Sequence, residues 1–337
     1  MRLTLPGLSR VNNLLHPDGY HGQGITQSYF EGWYVKMVSQ DRSARLAVIP
    51  GVFLAPEEDG DHEAFVQVLD GATGKSWYRP YPLSDFHAAS DRFDVRIGPN
   101  RFTTSGVYLD LDEPGLHGDV EFTSPMDGWP VSVRAPGAMG PYAWAPFMEC
   151  YHGVVSFGHD LAGSLRLGDT EWDMDSGRGY IEKDWGKSFP AGYLWMHSNH
   201  FSHPGTSIMA SIALVPWVRG EFRGVLIGLK HRGKLYTFAT YNRSRTKAIS
   251  VDSDKIRWTV QGPDGLRLTI TAERAEGSLL HAPIRTEMHR RVEETLNARL
   301  HVTMRDSDGN VLFEDTGEIA GLEVHGDIAR LLTTRGR

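Results

Sequence analysis

Short runs of alternating apolar and polar residues dominate the chain, and they predict β-strands rather than helices. Residues 34–38, 44–53 and 63–69 each match a strand, because apolar side chains recur at every second position or form a short apolar run. Glycine, proline, asparagine and aspartate separate these runs at short intervals, for example at 98–100 and 112–115. Many short strands joined by such turns predict an all-β chain, folded as a mostly antiparallel barrel or sandwich.

The same rhythm returns in the second half of the chain and predicts two similar β domains in tandem. An aromatic-rich stretch at 29–34 is echoed at 180–185, with the order aromatic residue, glutamate, tryptophan kept in both copies. The Gly-Lys turn at 74–75 is echoed at 233–234, in the same order along the chain. Collinear echoes of this kind are the expected signature of an internal repeat.

The join between the two domains is expected between residues 157 and 177, where two turn-like segments follow one another. This gives a first domain at 1–165, including an arm at 1–28 without clear periodicity, and a second domain at 166–337. Residues 284–300 fit either the nearest helical pattern in the chain or the opening of a strand.

Composition narrows the function classes. At 337 residues, 40% of them apolar, the chain is long enough to bury two cores. A formal net charge of −7 without a run of Lys and Arg argues against nucleic-acid binding. Cys150 is the only cysteine, which excludes an internal disulfide and a multi-thiolate metal site. No segment matches a signal peptide or a membrane span, so we expect a soluble cytoplasmic protein.

Three stretches combine acids with aromatic residues in a way that a solvated loop rarely does. They are residues 29–34, 145–156 and 179–190, the last of which holds Glu-Lys-Asp-Trp between two glycines. An apolar pocket that must also move a proton needs this mixture. The structural alternative is a surface charge cluster beside a core tryptophan, with Glu149 and His152 satisfying buried backbone groups.

These stretches together resemble the tocopherol cyclase family, as do residues 16–21 and 321–326. The resemblance spans nearly the whole chain. It implies two tandem lipocalin-like β-barrel domains and an acid-catalysed ring closure of a prenylated hydroquinone to a chromanol. Related lipocalin-like double-domain proteins hydrate carotenoids and likewise protonate an isoprenoid double bond. One position departs from the family, because plant members tend to have Asn where this chain has Asp184.

Chromanol closure requires a proton on an alkene, brief stabilisation of a tertiary cation and removal of the phenol proton. A carboxylic acid kept protonated by burial can supply the first proton. The acids available in the three stretches are Glu31, Glu149, Glu182 and Asp184. His152 and His197 could take up the phenol proton. The aromatic side chains expected to line the substrate are Trp33, Tyr34, Tyr180, Trp185 and Trp195.

Two of these assignments have structural alternatives. Trp33 can instead close the base of a barrel as a packing residue. Lys183 can form a salt bridge that keeps Glu182 or Asp184 ionised, although on a strand its side chain points away from both. The working acid is therefore expected to be the carboxyl group that is most buried and least well paired with a cation.

We expect no metal and no other cofactor, since His200 points away from the strand face that His197 and His203 would share. The expected partner is a hydrophobic small molecule, a prenylated quinol or isoprenoid, with transient membrane contact but no integral membrane segment. Two other function classes stay open: a non-catalytic carrier of an isoprenoid or other hydrophobic molecule, and another terpenoid cation reaction such as hydration. A carboxylate-to-amide variant that loses turnover but keeps ligand affinity would distinguish an enzyme from a carrier.

Overall fold

The computed structural model describes residues 13–57, 60–218, 220–284, 287–334 and 336, and it confirms the predicted all-β class. The strand pairings of its two sheets are antiparallel. The C-terminal helix α1 is short, and single turns of 3-10 helix lie in the loops. These segments are α1 Ile328–Thr333 and the 3-10 turns Leu83–Asp85, Gly140–Trp144, Thr240–Asn242 and Pro263–Gly265. Within the described ranges no helix has the length and hydropathy needed to cross a membrane.

The first structural unit comprises the residues up to Asp70, Lys75–Phe189 and His281–Arg290. Its strands are β1 Tyr29–Val38, β2 Arg45–Leu54, β3 Glu63–Asp70, β4 Lys75–Pro82, β5 Phe86–Ala88, β6 Asp94–Ile97, β7 Asn100–Thr103, β8 Gly106–Leu111, β9 Leu116–Phe122, β10 Cys150–Leu167, β11 Thr170–Asp173 and β12 Gly177–Gly186. They form one sheet in the order β4-β3-β2-β1-β12-β10-β9-β8-β7-β6-β5, and β11 pairs with β10.

One face of this sheet carries the hydrophobic core of the first unit. Trp33, Val35 and Met37 alternate along β1 and are fully buried, and Ile181 on β12 packs in the same cluster. Complete burial of a side chain of this size contributes about 1.5–3 kcal/mol. Because side chains alternate along a strand, the intervening residues lie on the other side. We call the side with Val35 and Ile181 the core face and the other side the opposite face.

The second unit comprises Gly71–Gly74, Pro190–Leu280 and the residues from Arg291 onwards. Its sheet has the order β16-β15-β14-β13-β22-β21-β19-β18-β17, and β20 pairs with β21. The strands of this sheet are β13 Gly192–Ser198, β14 Ser207–Trp217, β15 Gly220–His231, β16 Lys234–Ala239, β17 Arg245–Val251, β18 Lys255–Gln261, β19 Arg267–Glu273, β20 Ser278–Ile284, β21 Glu287–Arg305 and β22 Val311–Gly326. The parts of β20 and β21 within His281–Arg290 belong to the first unit.

The two sheets share a strand order, which confirms the predicted pair of similar domains. Each begins with a four-stranded meander, β1–β4 or β13–β16, and a later strand, β12 or β22, pairs with its first strand. The Gly-Lys turns at 74–75 and 233–234 join the third and fourth strands of the two meanders. This pair of turns therefore marks equivalent positions in the repeat.

The echo between 29–34 and 180–185 has a different origin from the one predicted. These residues lie on β1 and β12, which are antiparallel neighbours in one sheet, with Trp33 opposite Lys183 and Tyr34 opposite Glu182. They are partner strands rather than the first strands of two domains. The counterpart of β1 in the second sheet is β13.

The division between the units lies between Phe189 and Pro190, in contrast to the expected join within 157–177. Strand β10 pairs with β9 and β12, and β12 pairs with β1, so backbone hydrogen bonds hold this whole segment in the first sheet. The glycine-containing sequence that suggested a turn belongs to a bulged strand, because the register of β10 against β12 shifts between Val154 and His159.

Residues 287–305 form a strand, which decides between the helix and strand interpretations of 284–300. The deciding pattern is an alternation of buried residues along β21. Its buried apolar members are Val292, Leu296, Ala298, Leu300, Val302 and Met304. A period of two buries one face of a strand, whereas a helix would bury every third or fourth residue.

Candidate active site

The structure brings the three acidic and aromatic stretches together on neighbouring strands of the first unit. Residues 29–34 lie on β1, residues 179–186 on β12, and residues 150–153 at the start of β10. The strands are adjacent in the order β1-β12-β10. Glu31 lies opposite Trp185, and His152 lies opposite Asp184. Residues far apart in the sequence are thus within side-chain reach of one another.

Alternation along these strands divides the predicted site residues between two faces. Those on the core face are Glu31, Trp33 and Trp185, and Lys183 lies on the same face. Those on the opposite face are Tyr34, His152, Tyr180, Glu182 and Asp184. The sequence motif Glu-Lys-Asp-Trp therefore contributes to two separate clusters rather than to one.

The core-face cluster is a buried ion pair. Glu31 Oε1 lies 2.5 Å from Lys183 Nζ, and both side chains are fully buried. The hydroxyl of Tyr29 and the backbone N–H of His21 also donate to the Glu31 carboxylate. Burial raises the pKa of Glu31, but the charge of Lys183 and the hydrogen bonds lower it by more. The pKa of Glu31 is therefore shifted downward overall. Glu31 is therefore held as a carboxylate, which does not match the condition set above for the proton donor.

Residues of the N-terminal arm close this cluster. The ammonium of Lys183 lies 4.8 Å from the ring centre of Trp33 and 4.7 Å from that of Trp185. It also lies 2.7 Å from Nδ1 of His21, whose Nε2 is 3.0 Å from the carbonyl oxygen of Asn13. His21 stacks on Trp185 with ring centres 4.3 Å apart. The two tryptophans thus pack around a lysine, and Trp33 is also a fully buried member of the hydrophobic core.

The opposite face carries a histidine between two carboxylates. His152 Nδ1 lies 3.0 Å from Asp184 Oδ1, and His152 Nε2 lies 3.5 Å from Glu182 Oε2. The Tyr180 hydroxyl donates to Glu182 Oε2 at 2.5 Å. Glu182 is buried, whereas the side chain of Asp184 is 30% exposed. Solvent therefore reaches this cluster on the Asp184 side.

The two carboxylates change the protonation of His152. Burial alone lowers the pKa of the imidazole, but Asp184 and Glu182 raise it by more, to about 9. The imidazole is therefore protonated at neutral pH. Its Nδ1–H donates to Asp184, while Nε2 is buried and has no hydrogen-bond partner among the described residues. The cationic imidazole therefore keeps one N–H donor that no acceptor in the described ranges uses in normal hydrogen-bond geometry.

The same three side chains could hold a metal ion. Their ligand atoms lie within 4.8 Å of one another. A histidine and two carboxylates suit a divalent cation, but His152 must lose its proton before it can coordinate one. The raised pKa of His152 therefore opposes metal binding at neutral pH.

The remaining predicted residues occupy other places. Glu149 provides a backbone carbonyl that accepts the N–H of Lys187 at 2.8 Å, just beyond the end of β12. Trp195 and His197 lie on β13 in the second unit and are buried, with His197 Nε2 at 3.5 Å from Ser207 Oγ. Their contribution to the same site as His152 stays a prediction.

Sequence reasoning missed three contributors to the two clusters. The backbone N–H of His21 and the hydroxyl of Tyr29 donate hydrogen bonds to the Glu31 carboxylate, and Cys150 Sγ lies 3.8 Å from Asp184 Oδ1. Burial raises the pKa of the Cys150 thiol well above its usual value, and Asp184 adds to the shift. Cys150 is therefore a neutral thiol and not a nucleophile. The signal for His21 was its place in the conspicuous histidine-rich stretch 16–21.

Comparison with known proteins identifies the family. The sequence profile described as tocopherol cyclase-like matches residues 112–326. The rice protein named probable tocopherol cyclase, chloroplastic (Oryza sativa subsp. japonica) is 28% identical over 225 residues, covering 60% of this chain and 46% of that protein. The maize tocopherol cyclase, chloroplastic (Zea mays) is 27% identical, covering 60% of this chain and 45% of its own length. The chain thus spans about half the length of these relatives.

Solved structures show the same fold at low sequence identity. The crystal structure of CghA with Sch210972 superimposes with a TM-score of 0.56 at 12% identity, and the match covers 88% of each chain. A Nitrosomonas europaea protein provisionally assigned as AttH has a TM-score of 0.56 at 14% identity, covering 97% of each chain. These matches confirm the two tandem lipocalin-like domains. The family profile covers more than half of the sequence, and the chain therefore belongs to the tocopherol cyclase-like family.

Proposed function

We propose that this protein is an enzyme that closes the side chain of a prenylated hydroquinone into a chromanol ring, and that His152, Glu182 and Asp184 move the proton. Membership of the tocopherol cyclase-like family supports the reaction class. The observation that carries the proposal is the His152 imidazole, held between two carboxylates with its pKa raised to about 9. The protein thereby keeps a protonated group at neutral pH beside a carboxylate, Asp184, whose side chain is 30% exposed.

The reaction is balanced within the substrate. A proton adds to one carbon of the trisubstituted alkene, which leaves a tertiary cation on the other carbon. The phenol oxygen then forms the new C–O bond and releases its proton. One proton is consumed and one is returned, so the site needs an acid and a base that can exchange a proton after each turnover.

His152 and Glu182 form such a pair. The Nε2–H of His152 donates the proton to the alkene, and the Glu182 carboxylate receives the phenol proton. The two groups are 3.5 Å apart, so the proton can return from Glu182 to His152. Asp184 accepts the Nδ1–H of His152 and fixes the orientation of the ring. The Tyr180 hydroxyl, which donates to Glu182, holds that carboxylate in place.

Aromatic side chains on the opposite face are the proposed support for the cation. Tyr34 lies opposite Glu182 across the β1–β12 pair, and Tyr180 is two positions before Glu182 on β12. An aromatic face stabilises a nearby cation without reacting with it. Trp33 and Trp185 are less suitable, because both rings already contact the ammonium of Lys183.

The test measures turnover and ligand affinity separately. Purified wild type and the variants His152→Gln, Glu182→Gln and Asp184→Asn are incubated with a prenylated benzoquinol, and chromanol is quantified by mass spectrometry. We expect a loss of roughly a hundredfold or more for His152→Gln and Glu182→Gln, the usual contribution of acid–base catalysis, with affinity for the quinol retained.

A surface pair provides the matched control. His117 Nδ1 lies 2.8 Å from Asp110 Oδ1 in the same unit, and His117→Gln should keep wild-type turnover. Binding of the quinol by the wild type without any chromanol would instead indicate a carrier. Full activity in both His152→Gln and Glu182→Gln would refute the proposed proton transfer.

A further inference from the structure

A small cavity in the second unit is lined mainly by polar residues, none of which belongs to the cluster described above. It has a volume of about 110 Å³, and its lining residues are Arg223, Val225, Thr240, Ser244, Arg245, Thr246 and Gly336. Pockets that enclose a drug-sized or larger apolar ligand usually have volumes of about 300–1,000 Å³. The cavity is therefore too small for a prenylated quinol and suits a compact ligand.

Arg223 reaches this cavity from the side of β15 that faces the core. Val225, Ile227 and Leu229 follow it at alternate positions and belong to the hydrophobic cluster of the second unit. Alternation places Arg223 at the end of the same row. An arginine at the end of a buried apolar row loses hydration, and burial lowers its pKa accordingly.

No carboxylate compensates this guanidinium within the part of the chain that the structure describes. Arg223 Nη1 donates to the carbonyl oxygen of Leu332 at 3.3 Å, while its buried Nε has no hydrogen-bond partner there. Glu221, two positions earlier on β15, pairs with Arg330 instead. Arg223 is half-buried, and a guanidinium that is partly desolvated without a carboxylate partner is a natural anchor for an anion.

Two hydroxyl groups add further donors. Thr240 Oγ1 accepts the backbone N–H of Val225 at 2.9 Å, and Thr246 Oγ1 accepts the indole N–H of Trp258 at 3.0 Å. Each oxygen uses a lone pair in this contact, and each hydroxyl proton has no acceptor among the described side chains and backbone groups. The cavity lining therefore combines two guanidinium groups, from Arg223 and Arg245, with two free O–H donors.

We propose that this cavity binds a compact oxyanion, a carboxylate or phosphate group, with Arg223 as its main charged contact. An oxyanion would accept hydrogen bonds from the Arg223 guanidinium and from the hydroxyl groups of Thr240 and Thr246. Charge-assisted hydrogen bonds of this kind are stronger than neutral ones. Arg245, whose side chain is exposed, contributes charge at the rim.

The experiment titrates the purified full chain with sodium phosphate and, separately, with sodium acetate, at an ionic strength held constant with sodium chloride. Calorimetry gives the dissociation constant, and the melting temperature should rise with a saturable dependence on the bound anion. If only phosphate binds saturably, the bound group is a phosphate, and if only acetate does, it is a carboxylate. Either result supports the proposal. We expect Arg223→Gln to weaken binding at least tenfold.

Arg257→Gln is the matched control, because Arg257 is exposed and pairs with Asp252 on the surface of the same unit. It should bind the anion as the wild type does. If Arg223→Gln does not fold, Thr246→Val and Thr246→Ser test the anion site instead. Only the valine variant lacks the hydroxyl, so only that variant should bind the anion more weakly. The proposal is overturned if neither anion binds the wild type saturably, or if Arg223→Gln or Thr246→Val binds with unchanged affinity.

Discussion

At the scale of single residues, three consecutive positions illustrate what the sequence could and could not predict. Alternation along a strand correctly separates Lys183 from Glu182 and Asp184. The partners of these residues were not predictable, because Glu31 and His152 come from strands distant in sequence and are paired by the register of the sheet. The sequence thus identified acids of the two clusters without revealing which of them is paired with a cation.

The first prediction concerns His152 and pH. Its pKa rises from 6.5 to about 9 on folding, so its contribution to stability is fully present below about pH 6.5 and is lost as the pH rises through about 9. A shift of this size corresponds to about 3 kcal/mol. When urea unfolding is measured at about pH 6 and at about pH 10, the free energy of unfolding should fall by about this much more in the wild type than in His152→Gln. The variant His117→Gln should retain the wild-type loss, and an unchanged loss in His152→Gln would contradict the assignment.

The second prediction concerns the buried pair of Glu31 and Lys183. Lys183→Met leaves the Glu31 carboxylate buried without its cation and should lower the free energy of unfolding by about 3–5 kcal/mol. The double variant with Glu31→Leu should recover much of this loss, because no charge then remains buried. Arg257→Met, which breaks an exposed pair, should cost less than about 1 kcal/mol. Equal losses for Lys183→Met and Arg257→Met in urea unfolding would show that the buried pair has no special role.

At the scale of elements, the proposed site depends on the close pairing of β10 and β12. Gly186 ends β12 with a φ of 148°, and a Cβ at this position would lie 2.3 Å from the carbonyl oxygen of Glu149. A side chain there would push apart the strands that hold His152 opposite Asp184. The glycine is therefore required by a close approach of two backbones.

The third prediction follows from this contact. Gly186→Ala should lower the free energy of unfolding by at least about 2 kcal/mol more than Gly74→Ala, and it should reduce chromanol formation as well. Gly74 also has a positive φ, of 68°, but an added Cβ would meet nothing within 4 Å. Gly74 lies in the left-handed α-helical region, where another residue costs about 1–2 kcal/mol, whereas Gly186 lies outside that region. The additional loss at Gly186 therefore combines the steric clash with its backbone conformation. Similar stabilities of the two variants in urea unfolding would mean that β10 and β12 can move apart freely.

Strands could be predicted where burial of one face makes apolar residues alternate along the sequence. Predictions that relied on amino-acid composition alone were misleading. The alternation along β21 contained its strand signal, although nearby charges suggested a helix. The glycines of β10 suggested a domain boundary, because a bulged strand and a turn share the same composition.

At the scale of the whole molecule, length and repeated turns predicted two β domains, but the boundary depended on long-range pairing. Each sheet is completed by a late strand that returns to pair with the first strand of the unit. No local signal marks such a return, so the sequence-based join fell before β12, which the structure assigns to the first unit.

The fourth prediction tests this division by native-state hydrogen exchange at low denaturant concentrations. Backbone amides of β12 should become exchangeable in the same cooperative step as those of β1, because the two strands share their hydrogen bonds. Amides of β13 should follow β14 and β22, their partners in the second sheet. Exchange of β12 together with β13, and separately from β1, would place the boundary nearer the sequence-based position.

The central claim, that this protein delivers a proton to an isoprenoid double bond through His152 and Glu182, is tested most directly by turnover in heavy water. Incubation of the wild type with a prenylated benzoquinol in D₂O should give a chromanol with one carbon-bound deuterium, detected by mass spectrometry and located by NMR. His152→Gln and Glu182→Gln should form this product roughly a hundredfold or more slowly, and His117→Gln at the wild-type rate. A wild type that forms no deuterated chromanol, or a His152→Gln variant that forms it at the wild-type rate, would contradict the claim.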